Sequence, residues 1–309
     1  MFNYVLKRVA YIIPTILGIS VLIFVMIRLI PGDPGEVILG QHATGEAAEI
    51  IRKQLGLDKP IFVQFFYWLK NILVGNWGKS IFSGDSVLRL ILFRFGYTAQ
   101  LALLSIAIIT IFGILLGVLS AWKANSIYDN LIRGISILFW SSPYFITALV
   151  LLVLFGVYLP LFPIMGAGGI EHLILPSFSL SLAGIVWISR LTRGSMLEIA
   201  GQNFILTAEA KGLPKRRIIF THILKNSILP VITMLGIEFG WLLSGSFLVE
   251  TIFSYPGLGE LTVRSILNRD YPVVQGCVIF IATIYCLINL AVDILYAFID
   301  PRVRYGKVS

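Results

Sequence analysis

Between Arg8 and Arg28 the chain carries no charged residue, and nearly every position there is apolar. A helix needs about 20 such residues to cross roughly 30 Å of hydrocarbon. Five further runs meet or approach that length, so six spans are expected, over Val9–Ile30, Thr98–Trp122, Ile135–Leu159, Ile174–Ile188, Ile228–Val249 and Val273–Phe298. The fourth is short, bounded by Pro176 and Arg190. The runs are long and unbroken rather than alternating with period 2, which argues against strands. Only 13% of the 309 residues are charged and the mean hydropathy is +0.90, whereas about a quarter of a soluble chain is charged. The expected fold is therefore an all-α integral membrane protein. Lys7 and Arg8 before the first span imitate the start of a signal peptide. The apolar run is longer than a signal core and no small-residue cleavage site follows it, so it reads as a retained anchor.

The basic residues sort by loop. With six spans both termini lie on one side, which carries Lys7, Arg8, Lys123, Arg133, Arg190, Arg193, Lys211, Lys215, Arg216, Arg217, Lys225, Arg302, Arg304 and Lys307. The opposite short loop between Leu159 and Leu173 has no lysine or arginine. This asymmetry places both termini in the cytoplasm and accounts for the net charge of +8 without nucleic acid. Three parts follow. They are residues 1–30 with the first span, an extracytoplasmic segment over 31–95, and a core over 96–309 that includes a large cytoplasmic loop, 189–227. In the outer segment Pro31-Gly32-Asp33-Pro34 stops the first helix. Glu46–Leu55 and Pro60–Val74 then read as amphipathic helices. The second is rich in aromatics (Phe62, Phe65, Phe66, Tyr67, Trp68), a stripe suited to packing on the membrane interface or on the spans.

Few side chains offer chemistry. Gly75-Asn76-Trp77-Gly78-Lys79-Ser80 imitates the end of a phosphate-binding loop, but Leu73 stands where that motif needs a glycine. His42, His172 and His222 are scattered without ligand spacing, so no metal site is expected. Cys277 and Cys286 fall in one apolar run and read as packing thiols. Serines within spans, such as Ser181 and Ser244, suit helix packing, and no nucleophile with a base emerges. Glu238 is the exception. It lies near the middle of the fifth span, where a carboxylate normally faces a cavity or a partner. It is a candidate for the translocation pathway, with Ser244 one and a half turns further on. Asp293, near the end of the sixth span, reads as structural. An ion-coupled secondary transporter usually needs more buried acidic or histidine groups than this. It remains the competing class, ahead of a membrane-embedded enzyme.

Residues 207–230 run Thr207-Ala208-Glu209-Ala210-Lys211-Gly212-Leu213, then Arg216-Arg217, His222-Ile223-Leu224, Asn226 and Leu229-Pro230. This resembles the cytoplasmic coupling loop of ABC importer permeases, in the form typical of the dipeptide, oligopeptide and nickel family. The generic pattern is Glu-Ala-Ala, three residues, then Gly. Counting back from Gly212, only Ala208 and Gly212 match, and Glu209 is not the motif's acid. Further resemblance lies in Tyr4–Arg8 with Ile13-Pro14, Pro31–Pro34, Leu55–Pro60, Gly78–Ser80, Glu250–Gly259, Arg269–Gly276, Asn289–Asp293 and Asp300-Pro301-Arg302. These motifs follow the family's order along nearly the whole chain. The long outer segment resembles the first of its two permease types.

The resemblance implies six helices of the type I ABC importer permease (MetI-like) architecture, paired with a second, homologous permease as a heterodimer. It also implies two cytoplasmic ATPase subunits, which carry the ATP and Mg, and an extracytoplasmic solute-binding protein. This chain would bind no cofactor or metal and catalyse no reaction. Thr207, Ala208, Glu209, Ala210, Lys211 and Gly212 would form the contact with the ATPase. Relatives handle peptides, glutathione, nickel and metal chelates, and the short loop Leu161–His172 leans toward the nickel or oligopeptide branch. The expected setting is a bacterial or archaeal plasma membrane. A tag inserted at Gly40 or Met165 should be reached by an impermeant reagent added to intact cells, and one at Lys215 only after permeabilisation. Labelling of Lys215 in intact cells would overturn this topology.

Overall fold

Hydrocarbon offers no partner for a backbone amide, so apolar runs of this length must satisfy their hydrogen bonds internally, and they do so as helices. The computed structural model describes residues 2–29 and 59–299. The Pro31–Pro34 stop, His42, the helix expected over Glu46–Leu55, most of the Leu55–Pro60 motif and the Asp300–Arg302 end lie outside the described residues. In chain order the helices are α1 Phe2–Leu29, α2 Ile61–Leu73, α3 Val87–Trp122, α4 Ile127–Ser141 and α5 Tyr144–Tyr158. Then come α6 Glu171–Ala200, α7 Asn203–Ala210, α8 Lys215–Leu243, α9 Phe247–Ile252, α10 Leu258–Leu267 and α11 Tyr271–Ile299. Among the described residues there is no strand beyond an isolated bridge between Lys79 and Ser86.

Helices α1, α3, α6, α8 and α11 are each long and apolar enough to cross a membrane, and α4 with α5 makes a sixth candidate. That pair corrects the unbroken span expected over Ile135–Leu159. It is bent by 99° at Ser142-Pro143. Proline lacks the N–H that would continue the ladder and pushes the residue before it out of the helical region; Ser142 is accordingly extended at φ −94°, ψ 128°. The short fourth span, expected over Ile174–Ile188, is the middle of the 30-residue helix α6. Hydropathy registers where hydrocarbon ends, whereas helical hydrogen bonding continues through Arg190 and Arg193 to Ala200. The fifth span is shorter at its C-terminal limit than expected. Helix α8 stops at Leu243, Gly245 takes φ 98°, and Val249 belongs to the separate short helix α9.

The core seam runs between α3 and α6, which pack along most of their lengths. Small residues permit the approach. A Cβ on Gly113 would lie 2.8 Å from the Ile188 Cβ, and one on Gly117 would lie 2.5 Å from the Thr192 Cβ and 2.7 Å from the Ser189 carbonyl. Further along the seam the Ser105 hydroxyl donates to the Ser177 carbonyl (3.3 Å) and the Ser181 hydroxyl to the Ser105 carbonyl (3.1 Å). Ser181 is thus a packing serine. Helices α8 and α11 close against the seam and against each other. Helix α1 lies outside them along α11, where Arg8 meets Asp293 at 2.8 Å. That contact gives Asp293 the structural role expected of it.

The stripe on α2 divides. Phe65 and Trp68 pack on Phe24 of α1, with ring centroids 5.2 and 5.4 Å away, while Phe62, Phe66 and Tyr67 are exposed. Arg28, whose guanidinium lies 3.3 Å from the Phe24 ring centroid, donates to the Gln64 amide oxygen and ties the same pair of helices. The α3–α6 seam supplies the most direct test of the fold. Gly117→Val should destabilise the purified protein by about 1–3 kcal/mol through overpacking, read as a lower Tm. Gly134→Val, which meets open space on α4, should leave the seam intact and serves as the control.

Candidate coupling surface and translocation face

Two ends of the bundle are distinguished by composition. One, here the basic end, carries Lys123, Arg193, α7 and the Lys215-Arg216-Arg217 start of α8; the other, the far end, carries α2, α9 and α10.

At the basic end, α6 stops at Gly201 and the eight-residue helix α7 follows. Lys211 ends α7 with its N–H on the Thr207 carbonyl, Gly212 turns the chain at φ 76°, and Pro214 precedes α8. The φ of Gly212 is the conformation that an L side chain enters at a cost of about 1–2 kcal/mol. Ile205 and Ala208 are buried in a cluster with Val118, Met196, Ile218 and Ile223. The small size of Ala208 lets it pack within this cluster. Phe204, Leu206, Thr207, Glu209, Ala210, Lys211 and Gly212 are exposed, the two apolar ones to 42% and 59%. The outcome is a short helix pinned from beneath and open above.

Beside it, Asp129 is fully buried and binds Arg193 twice, accepting from Nε at 2.9 Å and Nη2 at 2.7 Å. The Ser120 hydroxyl and the Asn125 N–H complete its shell. This bidentate pair ties the α3–α4 turn to α6. In sequence Arg193 reads only as an orientation charge, and Asp129 is not marked out as its partner. The available signal was Ser126-Ile127-Tyr128-Asp129, a capping box at the start of α4; Ser126 does accept from the Asp129 N–H at 3.4 Å.

Within the bundle, Glu238 of α8 is half-buried. One of its oxygens lies 3.2 Å from the place a Cβ on Gly184 of α6 would occupy, so the carboxylate sits where α6 offers no side chain. Among the described residues it has no hydrogen-bond or ion-pair partner. Ser244 is separate from it. It follows the last turn of α8, donates to the Trp241 carbonyl at 2.7 Å, and lines a cavity of about 480 Å³ with Trp241, Phe247, Thr262 and Tyr285.

At the far end, two pairs of motifs distant in sequence meet. The Asp270 carboxylate accepts from the Ser80 hydroxyl at 2.5 Å and the Ile81 N–H at 3.2 Å, so the Gly78–Ser80 turn docks on the turn before α11. Glu250 of α9 is fully buried, accepts from the Thr98 hydroxyl at 2.9 Å and the Glu260 N–H at 3.0 Å, and caps the start of α10. The Thr98 hydroxyl in turn accepts from the Leu258 N–H. A carboxylate at a helix N-terminus meets free amides and a favourable dipole, and Gly257 and Gly259 leave room for it. This explains the spacing in Glu250–Gly259, whose residues the sequence reading recognised without assigning their task.

Among the described residues, long apolar helices pack about the half-buried Glu238 and are tied at both ends by buried carboxylates, an arrangement that fits an integral membrane protein. Residues 113–305 match the family described as binding-protein-dependent transport system inner membrane component, and residues 1–102 match the N-terminal part of such membrane components. The chain belongs to this family and is an ABC importer permease of the inner membrane. Over 310 residues it is 39% identical to the probable peptide ABC transporter permease protein y4tP of Sinorhizobium fredii, covering 98% of this chain and 99% of the relative. Over 305 residues it is 39% identical to the glutathione transport system permease protein GsiC of Escherichia coli, covering 99% and 100%. Its fold matches the inward-facing MetNI methionine ABC transporter, with TM-score 0.59 and 19% identity over 69% of this chain and 97% of that one. The type I importer permease architecture is thereby shown.

The cap at α10 carries a pH signature. Burial pushes the Glu250 carboxyl up to about 7, against the pull of its donors. A carboxyl raised in the folded state keeps its proton there while the unfolded chain loses it. Stability should therefore fall as pH rises from about 4.5 through about 7. Glu250→Gln should flatten this component of a Tm-against-pH profile, and an unchanged slope would contradict the assignment.

Proposed function

We propose that this chain is one of two unlike permease halves of an importer for peptide-sized solutes. A solute-binding protein delivers the cargo from outside, and two cytoplasmic ATPase subunits, holding ATP and Mg, drive the cycle. The basic end, with both termini, faces the cytoplasm, and residues 31–95 lie outside. Peptides and glutathione are the preferred cargo, because the similar permeases named above serve such solutes. Nickel and metal chelates fall within the same substrate class by the resemblance of the motifs.

The observation that carries this reading is the geometry of α7. An ATPase that changes shape must push on something stiff, and α7 is pinned through Ile205 and Ala208 to α3, α6 and α8 at once. Its outer face, with Phe204, Leu206, Thr207, Glu209, Ala210 and Lys211, is free to receive a partner. Force applied there reaches α6 and α8, the helices that bring Gly184 and Glu238 together. Glu238 is read as part of the pathway wall and Ser244 as part of its outer mouth.

Reconstituted vesicles with binding protein and peptide test the coupling. Gly212→Val should leave membrane insertion intact but reduce uptake about tenfold, either by shedding the ATPase subunits or by letting them hydrolyse ATP without transport. Phe204→Asp, on the exposed face, should do the same without touching the core. Lys215→Gln, one charge among several, should import normally. Wild-type uptake in both Gly212→Val and Phe204→Asp would reduce the loop to an orientation signal.

A further inference from the structure

An aromatic pair stands one helical turn from each partner of the Glu238–Gly184 contact. One helical turn toward the far end, Trp241 of α8 meets Tyr144 edge to face, with centroids 6.0 Å apart. One turn toward the basic end from Gly184, Trp187 of α6 stacks on Trp140 of α4 at 5.2 Å and 15°. Positions three apart on a helix share a face, so both pairs flank the Glu238–Gly184 contact. The Ser142-Pro143 bend makes this possible, because Trp140 ends one arm and Tyr144 begins the other. The tryptophans are not sealed in the core. Trp140, Trp187 and Trp241 are 50%, 39% and 42% exposed. An ionisable group at this depth does not face lipid but a cavity or a partner, and Trp241, one turn from Glu238, lines the cavity of about 480 Å³. A carboxylate one helical turn from an exposed tryptophan can hold a cation between the two.

We propose that this face binds the primary ammonium group of a peptide-like solute, with Glu238 as counter-ion and the Tyr144–Trp241 and Trp140–Trp187 pairs as walls. The amino terminus of a peptide and the α-amino group of a γ-linked peptide both supply that group. The inference rests on the importer reading above and names the chemistry its pathway selects. The carboxylate of Glu238 has no basic neighbour among the described residues to neutralise it, so the solute itself would supply the positive charge. The alternative occupant is a basic side chain of the second permease.

The test uses the assembled complex in lipid nanodiscs without binding protein, so that recognition by the permeases alone is read. Alanyl-phenylalanine and its N-acetylated form are titrated while tryptophan fluorescence is followed. The free dipeptide should perturb it saturably, and the acetylated form should bind about ten- to a hundredfold more weakly, as expected for loss of a charged contact. Glu238→Gln should abolish the discrimination. Trp241→Leu should weaken the free dipeptide about threefold or more while keeping the preference. Equal binding of the two forms, no saturable response to either, or discrimination that survives Glu238→Gln would each overturn the proposal. A Glu238→Gln complex that fails to assemble while Trp241→Leu binds both forms alike would also overturn it, in favour of a pair with the second permease. ATP-dependent uptake with binding protein, measured on the same preparation, separates failure of this site from failure of the importer reading.

Discussion

Hydrocarbon accepts no hydrogen bonds and rewards no apolar contact between helices, since lipid tails are as apolar as leucine. Helices in such a solvent associate through close packing and through polar groups that find partners nowhere else. The α3–α6 seam meets both demands. Gly113, Gly117 and Gly184 let the helices approach to where a single methyl would collide, and Ser105 and Ser181 then reach carbonyls across the gap. The other elements take their positions from this pair. Helix α8 lies against both, α11 against α8, and α1 against α11.

At the two ends of the bundle the fold is held by another kind of contact. Asp129 with Arg193 at the basic end, and Glu250 and Asp270 at the far end, are buried carboxylates satisfied by hydrogen bonds from distant parts of the chain. Their value lies in specificity of placement more than in net energy, because ordering and desolvating charges offsets much of the attraction. Each fixes a turn between helices rather than a helix. Under the coupling proposed here, movement at α7 would be passed along stiff elements whose junctions are pinned.

Glu238 stands apart from these locks because its carboxylate lies against the missing side chain of Gly184 and meets no donor among the described residues. The bend at Ser142-Pro143 lies between Trp140, which stacks on Trp187, and Tyr144, which meets Trp241. A proline that interrupts a span thus helps to build the face on which transport is proposed to depend.

Much of this was legible in the residues themselves. Span number, the all-α class and the family motifs follow from hydropathy and local pattern, since both depend on neighbours in sequence. Gly212 was legible as a turn because only its own backbone decides it. The 99° bend, the full length of α6 and the end of α8 at Leu243 were not legible, because hydropathy measures solvent and is blind to where hydrogen bonding stops. The inward burial of Ala208, the Asp129–Arg193 pair and the carboxylate caps at Ser80 and Leu258–Glu260 were also hidden. Each joins residues between 10 and 190 positions apart, and no local pattern encodes which of several acids finds which donor. The sequence by itself determined that the chain lives in a membrane, how many times it can cross, and to which family it belongs. Only the tertiary structure decided which charges became locks and which one, Glu238, met no donor among the described residues, because that depends on packing in three dimensions.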